Sequence, residues 1–258
     1  MARAERKRPA CQQALVLSLL SIVFSWVPAG AHTLDIGVSS NFEPALQALV
    51  KGYQQRTHMP HLRIKAASSG VLYQQILQGE EIDIFFSADK LRPKLLHDGG
   101  VASRISAYVR GRLVFWAPST SKGEQGRVDQ STWQNWQQPY VLANPLNAPY
   151  GIAAKQVISQ TDGRATPVIA SDVEQAYHFI LADRVPAGFV SLAQVIYQPA
   201  GDYWLVPQHY YQPLEQFYAV LDETKEVSEL LAFIESEEGR AILKAFGYAP
   251  LEESQASH

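Results

Sequence analysis

At 258 residues, 47% hydrophobic and 18% charged, the chain is long enough to bury one large core or two smaller ones. That balance excludes a disordered, collagenous or coiled-coil protein. A formal net charge of −3, with no dense Lys/Arg cluster beyond the first residues, excludes a nucleic-acid binder working through a basic face.

The chain opens on an export pattern. Arg3, Arg6, Lys7 and Arg8 precede an apolar stretch from Ala14 to Val27, and Ala29-Gly30-Ala31 supplies small residues for cleavage. Residues 1–31 are therefore expected to be a signal peptide cut after Ala31, which places the processed protein in the periplasm. An uncleaved anchor is the alternative, but the apolar stretch is shorter than the ~20 residues a spanning helix needs. The single cysteine, Cys11, lies before that stretch, so it cannot carry a lipid, and the processed chain has no disulfide or cysteine nucleophile. The first 31 residues hold four basic side chains and one acidic one, so the remainder carries −6. An anionic ligand would have to be held by local dipoles rather than by overall charge.

Leu34 to Val38 reads as a strand, followed by Ser39-Ser40-Asn41 and a helix on Phe42, Leu46, Leu49, Val50 and Tyr53, with Asn41 as its N-cap and Pro44 in its first turn. Leu62 to Ala67 is a second strand. Ser68-Ser69-Gly70 leads into a helix through Val71, Leu72, Ile76 and Leu77 that Gly79 ends. Ile82 to Phe86 is a compact apolar run suited to a buried parallel strand, and Lys90 to His97 is a helix stopping at Gly99-Gly100. This alternation predicts an α/β sheet with parallel strands. Leu113 to Ala117 is another buried strand, and Ser119 to Asp129 is a surface loop. Further strands are expected at Tyr140 to Ala143, Val168-Ile169, Ala187 to Leu192 and Gln216 to Leu221. Pro149-Tyr150-Gly151 opens one helix, Ser171-Asp172 caps another, and Val227 to Phe246 is a long amphipathic helix with a break at Gly239.

One arrangement recurs four times. A strand ends in a small or polar residue and a helix begins, at Ser40-Asn41, Ser69-Gly70, Tyr150-Gly151 and Asp172-Val173. In open α/β sheets ligands bind beyond the carboxyl ends of the strands. Helix N-termini there present unpaired N–H groups and a positive dipole end, which suits an anion. None of the four junctions holds Lys or Arg, so neutral donors would do the binding. Taken singly, Ser40, Asn41, Ser69 and Asp172 also fit plain helix caps.

Taken together, the segments VSSNFEPALQAL (38–49), ASSGVLYQQILQGEEIDIFFSADK (67–90), NPLNAPYGIAAKQVI (144–158), DVEQAYHFI (172–180), AGFVSLAQV (187–195) and FGY (246–248) resemble the periplasmic molybdate-binding proteins of the type II solute-binding fold. The resemblance runs from about Leu34 to Tyr248, and IDIFFSADK is its most specific piece. It implies two α/β lobes, each a mostly parallel sheet flanked by helices, joined by two crossing hinge strands. Lobe 1 would comprise 32–111 plus 214–258, and lobe 2 112–213. It implies an oxyanion, molybdate or tungstate, held in the cleft by Ser40, Asn41, Ser69, Tyr150 and the backbone N–H of Val173, with Ser68, Asp172 and Ser191 as further candidates. Some members carry a tyrosine where this chain has Ser191, and Tyr150 is the candidate to supply a phenol from another direction. The implied protein is a monomeric carrier without a cofactor or a direct cation ligand, delivering its anion to the membrane permease of an ABC importer. Another tetrahedral oxyanion, sulfate or phosphate, is the alternative ligand.

Two other chemistries find little support. Ser39, Ser40, Ser68 and Ser69 lie among seven histidines, but no G-x-S-x-G elbow is present and no histidine falls at a junction. His58, His61, His209 and Tyr210-Tyr211 lack any diagnostic metal-ligand spacing.

Overall fold

The computed structural model describes residues 33–56, 61–118, 127–161, 165–199 and 202–251. The expected signal peptide, Cys11, His58 and most of the Ser119 to Asp129 loop lie outside these residues.

In chain order the first part runs β1 (Leu34–Ser39), α1 (Glu43–Gln54), β2 (Leu62–Ala67), α2 (Ser69–Leu77), β3 (Ile84–Ser87), α3 (Leu91–Asp98) and β4 (Arg104–Gly111). Next come β5 (Leu113–Trp116), α4 (Gln130–Gln134), β6 (Tyr140–Ala143), α5 (Pro149–Gln160), β7 (Pro167–Ala170), α6 (Val173–Leu181), β8 (Gly188–Ser191), α7 (Leu192–Val195) and β9 (Tyr203–Leu205). The chain then ends on β10 (Leu214–Val220), α8 (Lys225–Glu235) and α9 (Glu237–Ala245).

The strands form two five-stranded sheets, ordered β2-β1-β3-β10-β4 and β7-β6-β8-β5-β9, so the protein is two-lobed. Both sheets are mixed. β1 runs parallel to β2 and β3, and β6 runs parallel to β7 and β8. β10 lies antiparallel to β3 and β4, and β5 antiparallel to β8 and β9. The antiparallel strands are those the chain uses to pass between lobes. β4 leads into β5 through Arg112 alone, and β9 returns to β10 through residues 206–213. Neither passage contains a crossover helix of the kind that would keep neighbouring strands parallel.

The alternation of apolar runs and caps explains the helices. α1 buries Ala45, Leu46, Leu49, Val50 and Tyr53 as one face, with Pro44 in its first turn. Its N-cap is Phe42, not Asn41, and no side chain caps it. Asn41 is drawn inward by buried partners described below. α6 starts as expected: the Asp172 carboxylate accepts from Gln175 N at 2.9 Å. Gly79 ends α2 at φ +90°, a conformation glycine adopts without a Cβ penalty. The single long helix expected from Val227 to Phe246 is two helices, and the break falls at Ser236 rather than Gly239. The Ser236 hydroxyl donates to Phe233 O at 2.6 Å and accepts from Gly239 N at 3.1 Å, ending α8 and capping α9.

Each lobe has its own core. Around Phe42 in the first, ring centroids stand 5.1 Å away in Tyr108 and 5.5 Å away in Tyr248. The second core holds all the described tryptophans, Trp116, Trp133, Trp136 and Trp204. Trp116 stacks on Tyr177 at 5.2 Å, and Trp133 packs edge-on to Phe189 at 4.8 Å. The lobes also touch away from the crossing strands. Ala193 of α7 is buried in the first core, and the Tyr197 ring stands 5.7 Å from Phe246.

Candidate ligand-binding cavity

The four strand-to-helix junctions meet at one cavity. Ser39, Ser40 and Asn41 line it from the end of β1, and Ser68, Ser69 and Ala88 from the ends of β2 and β3. Ala148, Pro149 and Tyr150 face it from the start of α5, and Asp172 and Val173 from the start of α6. The cavity is small, roughly 190 Å³. The cavity therefore suits one compact ligand. A larger groove, about 1090 Å³, runs past Asp35, Arg63, Lys65 and Glu80. Both of its cations are paired, Arg63 with Asp35 and Glu81 and Lys65 with Glu80.

Helix geometry supplies the donors. The first amides of a helix have no intrahelical acceptor, and those at Ser69, Tyr150 and Val173 open α2, α5 and α6 at the cavity. Gly151 allows this approach, because a Cβ there would stand 2.2 Å from Ala143 O. Side chains add hydroxyls. Ser69 is fully buried, and its Oγ accepts from Ala88 N at 2.9 Å, which leaves its proton free to point elsewhere. The hydroxyls of Ser39 and Ser40 are buried without any hydrogen-bond partner. Among the described residues, no Lys or Arg lines the cavity. Arg92 comes near Gly70 but is paired with Asp89, and Asp89 also accepts from Arg92 N at 2.9 Å.

Three predicted residues behave differently from expectation. The Asn41 amide does not cap α1. Its Nδ2 donates to Gln216 Oε1 at 3.1 Å and to Tyr248 OH at 3.2 Å, while Tyr248 OH donates to Asn41 O at 2.8 Å. The Tyr150 phenol lies under the crossing strand, where a Cβ on Gly111 would meet it at 2.2 Å. Ser191 is absent from the cavity wall. Its Oγ donates to Tyr150 OH at 3.1 Å and accepts from Ala193 N at 3.3 Å, bracing the phenol and capping α7. Tyr150 thus meets the cavity at the start of its helix, and its ring is a strut behind the wall. Burial pushes the phenols of Tyr150, Tyr108 and Tyr248 well above their ordinary range, so all three stay neutral. Ser39 and Ala88 line the cavity although sequence reasoning gave them no contact. The signal for Ser39 was its place in the Ser39-Ser40-Asn41 run.

Comparison with known proteins gives a consistent result. The model of the family described as bacterial extracellular solute-binding protein matches residues 34–249. The molybdate-binding protein ModA of Rhodobacter capsulatus is 31% identical over 233 residues, covering 86% of this chain and 90% of that protein. ModA of Azotobacter vinelandii is 29% identical, covering 85% and 91%. The solved structure of the Azotobacter vinelandii periplasmic molybdate-binding protein superposes with a TM-score of 0.73 at 28% identity, over 85% of this chain and all of that one.

Proposed function

This chain belongs to the bacterial extracellular solute-binding proteins, among their molybdate-binding members, and on that premise we propose that the four-junction cavity holds a molybdate dianion for an ABC importer. Ser40 and Ser69 donate their hydroxyls, Tyr150 and Val173 their backbone amides, and Asn41, which also lines the cavity, anchors the β1–α1 turn through its bonds to Gln216 and Tyr248. Ser68 and Asp172 act as helix caps at the rim. The observation that carries this reading is a cavity walled by helix N-termini and orphaned hydroxyls, with no lysine or arginine among the described residues of its lining. A dianion accepts hydrogen bonds and cannot donate, so such a wall matches it, and fixed neutral dipoles replace its hydration shell.

Tungstate shares the shape and charge of molybdate and should occupy the same place. The two lobes, 32–111 with 214–258 and 112–213, close around the anion by bending at the crossing strands. The family is one of carriers, and we assign the chain no catalytic step and no cofactor. The N-terminal export pattern and the extracellular family support a protein working in the periplasm, where we propose that it acts as a monomer.

Titration calorimetry of the purified protein with molybdate, tungstate, sulfate and phosphate tests this. Heat is expected from molybdate and tungstate. Binding of sulfate or phosphate with silence towards molybdate would transfer the cavity to the alternative ligand.

A further inference from the structure

Ser39 closes β1 and is 2% exposed. Its backbone is engaged, since its carbonyl accepts from Phe42 N at 2.8 Å. Its hydroxyl is not: Ser39 Oγ is buried and has no partner, although the residue lines the cavity. The neighbouring Ser40 Oγ is in the same condition. Consecutive strand residues normally point to opposite faces. The chain turns at Ser40, however, and both residues border one cavity. A buried hydroxyl left unpaired weakens a fold, so a serine lining a cavity in this way is placed to take a partner from outside the protein.

We propose that Ser39 is a ligand-contacting residue whose hydroxyl donates to an oxygen of the bound oxyanion beside Ser40. Neither the helix junctions nor the family resemblance assigns it this role, and the proposal rests on the molybdate reading above. Two adjacent hydroxyls can serve two oxygens of one tetrahedral anion, adding a donor on the β1 side of the cavity.

The proposal makes affinity and stability move in opposite directions. Ser39→Ala removes a polar atom that no described protein group pairs with, so the melting temperature without ligand should stay level or rise. Affinity for molybdate should fall about tenfold, the equivalent of about 1.4 kcal/mol. Ser39→Cys, close in size but a weak donor, should fall in between. Calorimetry with sodium molybdate and thermal melts of the unliganded parent and variants read both quantities. A Ser39→Ala protein that binds within twofold of the parent overturns the proposal, as does one whose unliganded melting temperature drops by several degrees, since the hydroxyl would then be structural. A parent that gives no heat with molybdate instead overturns the ligand reading beneath it.

Discussion

One carboxylate, Asp172, lines the cavity, and Glu174 lies two residues on in the first turn of α6. Burial, reinforced by Glu43 and Asp172, holds the Glu174 carboxyl above its ordinary 4.5, against the opposing pull of Gln194 and His178. An acid whose folded pKa is raised binds its proton more tightly in the native state than in the unfolded chain. Its contribution favours the fold at low pH and is lost as pH rises through that window. Glu174→Gln should therefore melt at a higher temperature than the parent at pH 7, with the difference shrinking below about pH 4. Melts across that pH range check it, and a difference independent of pH would remove the electrostatic cause. At this scale the sequence was legible where position in the chain equals position at the site. Ser40, Ser69, Tyr150 and Val173 sit at the strand-to-helix junctions, and all line the cavity. Asn41 was misread because a cap and a buried amide look alike before a helix. Only the distant Gln216 and Tyr248 decide between them, and no local pattern announces those partners.

Local signals governed most elements, and the exceptions have local causes. β4 carries the alternation of a half-buried strand, Ile105, Ala107 and Val109 between Arg104, Ser106, Tyr108 and Arg110, rather than the compact apolar run that marks the buried strands. β9 spans three residues and α7 four, too few for a period to show. The break in the C-terminal helix was placed three residues late, because glycine is the usual breaker. Here Gly239 is needed for close approach, since a Cβ would lie 2.2 Å from Phe233 O, and the serine makes the break. Ser236→Ala should cost about 1 kcal/mol through loss of the cap. Thermal unfolding should register this as a fall of about 2–4 °C for a chain of this size. Ligand affinity should be unchanged, because α9 does not reach the cavity.

The lobes meet across the cleft at a backbone contact. Gly70 N, in the first turn of α2, donates to Asn147 O at 3.0 Å, just before α5. A Cβ on Gly70 would stand 2.8 Å from that oxygen and 3.0 Å from Asn147 Cα. Backbone atoms cannot swing aside as a side-chain tip does. Gly70→Ala should therefore hold the lobes apart while sparing α2, where alanine is the better helix former. The expected outcome is an unchanged or slightly higher melting temperature without ligand and a loss of molybdate affinity of about tenfold or more, about 1.4 kcal/mol. Small-angle scattering should show less compaction of the variant when molybdate is added. Full affinity in the variant would mean the contact is incidental to closure. Two lobes could be anticipated from the family resemblance. The mixed character of the sheets could not, because strand direction depends on how the chain passes between lobes.

The uneven placement of indole rings has an optical consequence. With all the described tryptophans in the second core and only phenylalanine and tyrosine rings in the first, light emitted on indole excitation reports one lobe while far-ultraviolet dichroism averages both. Superimposable denaturation curves from the two signals would mean that the lobes come apart as one cooperative unit. Curves that separate would measure how far one lobe outlasts the other.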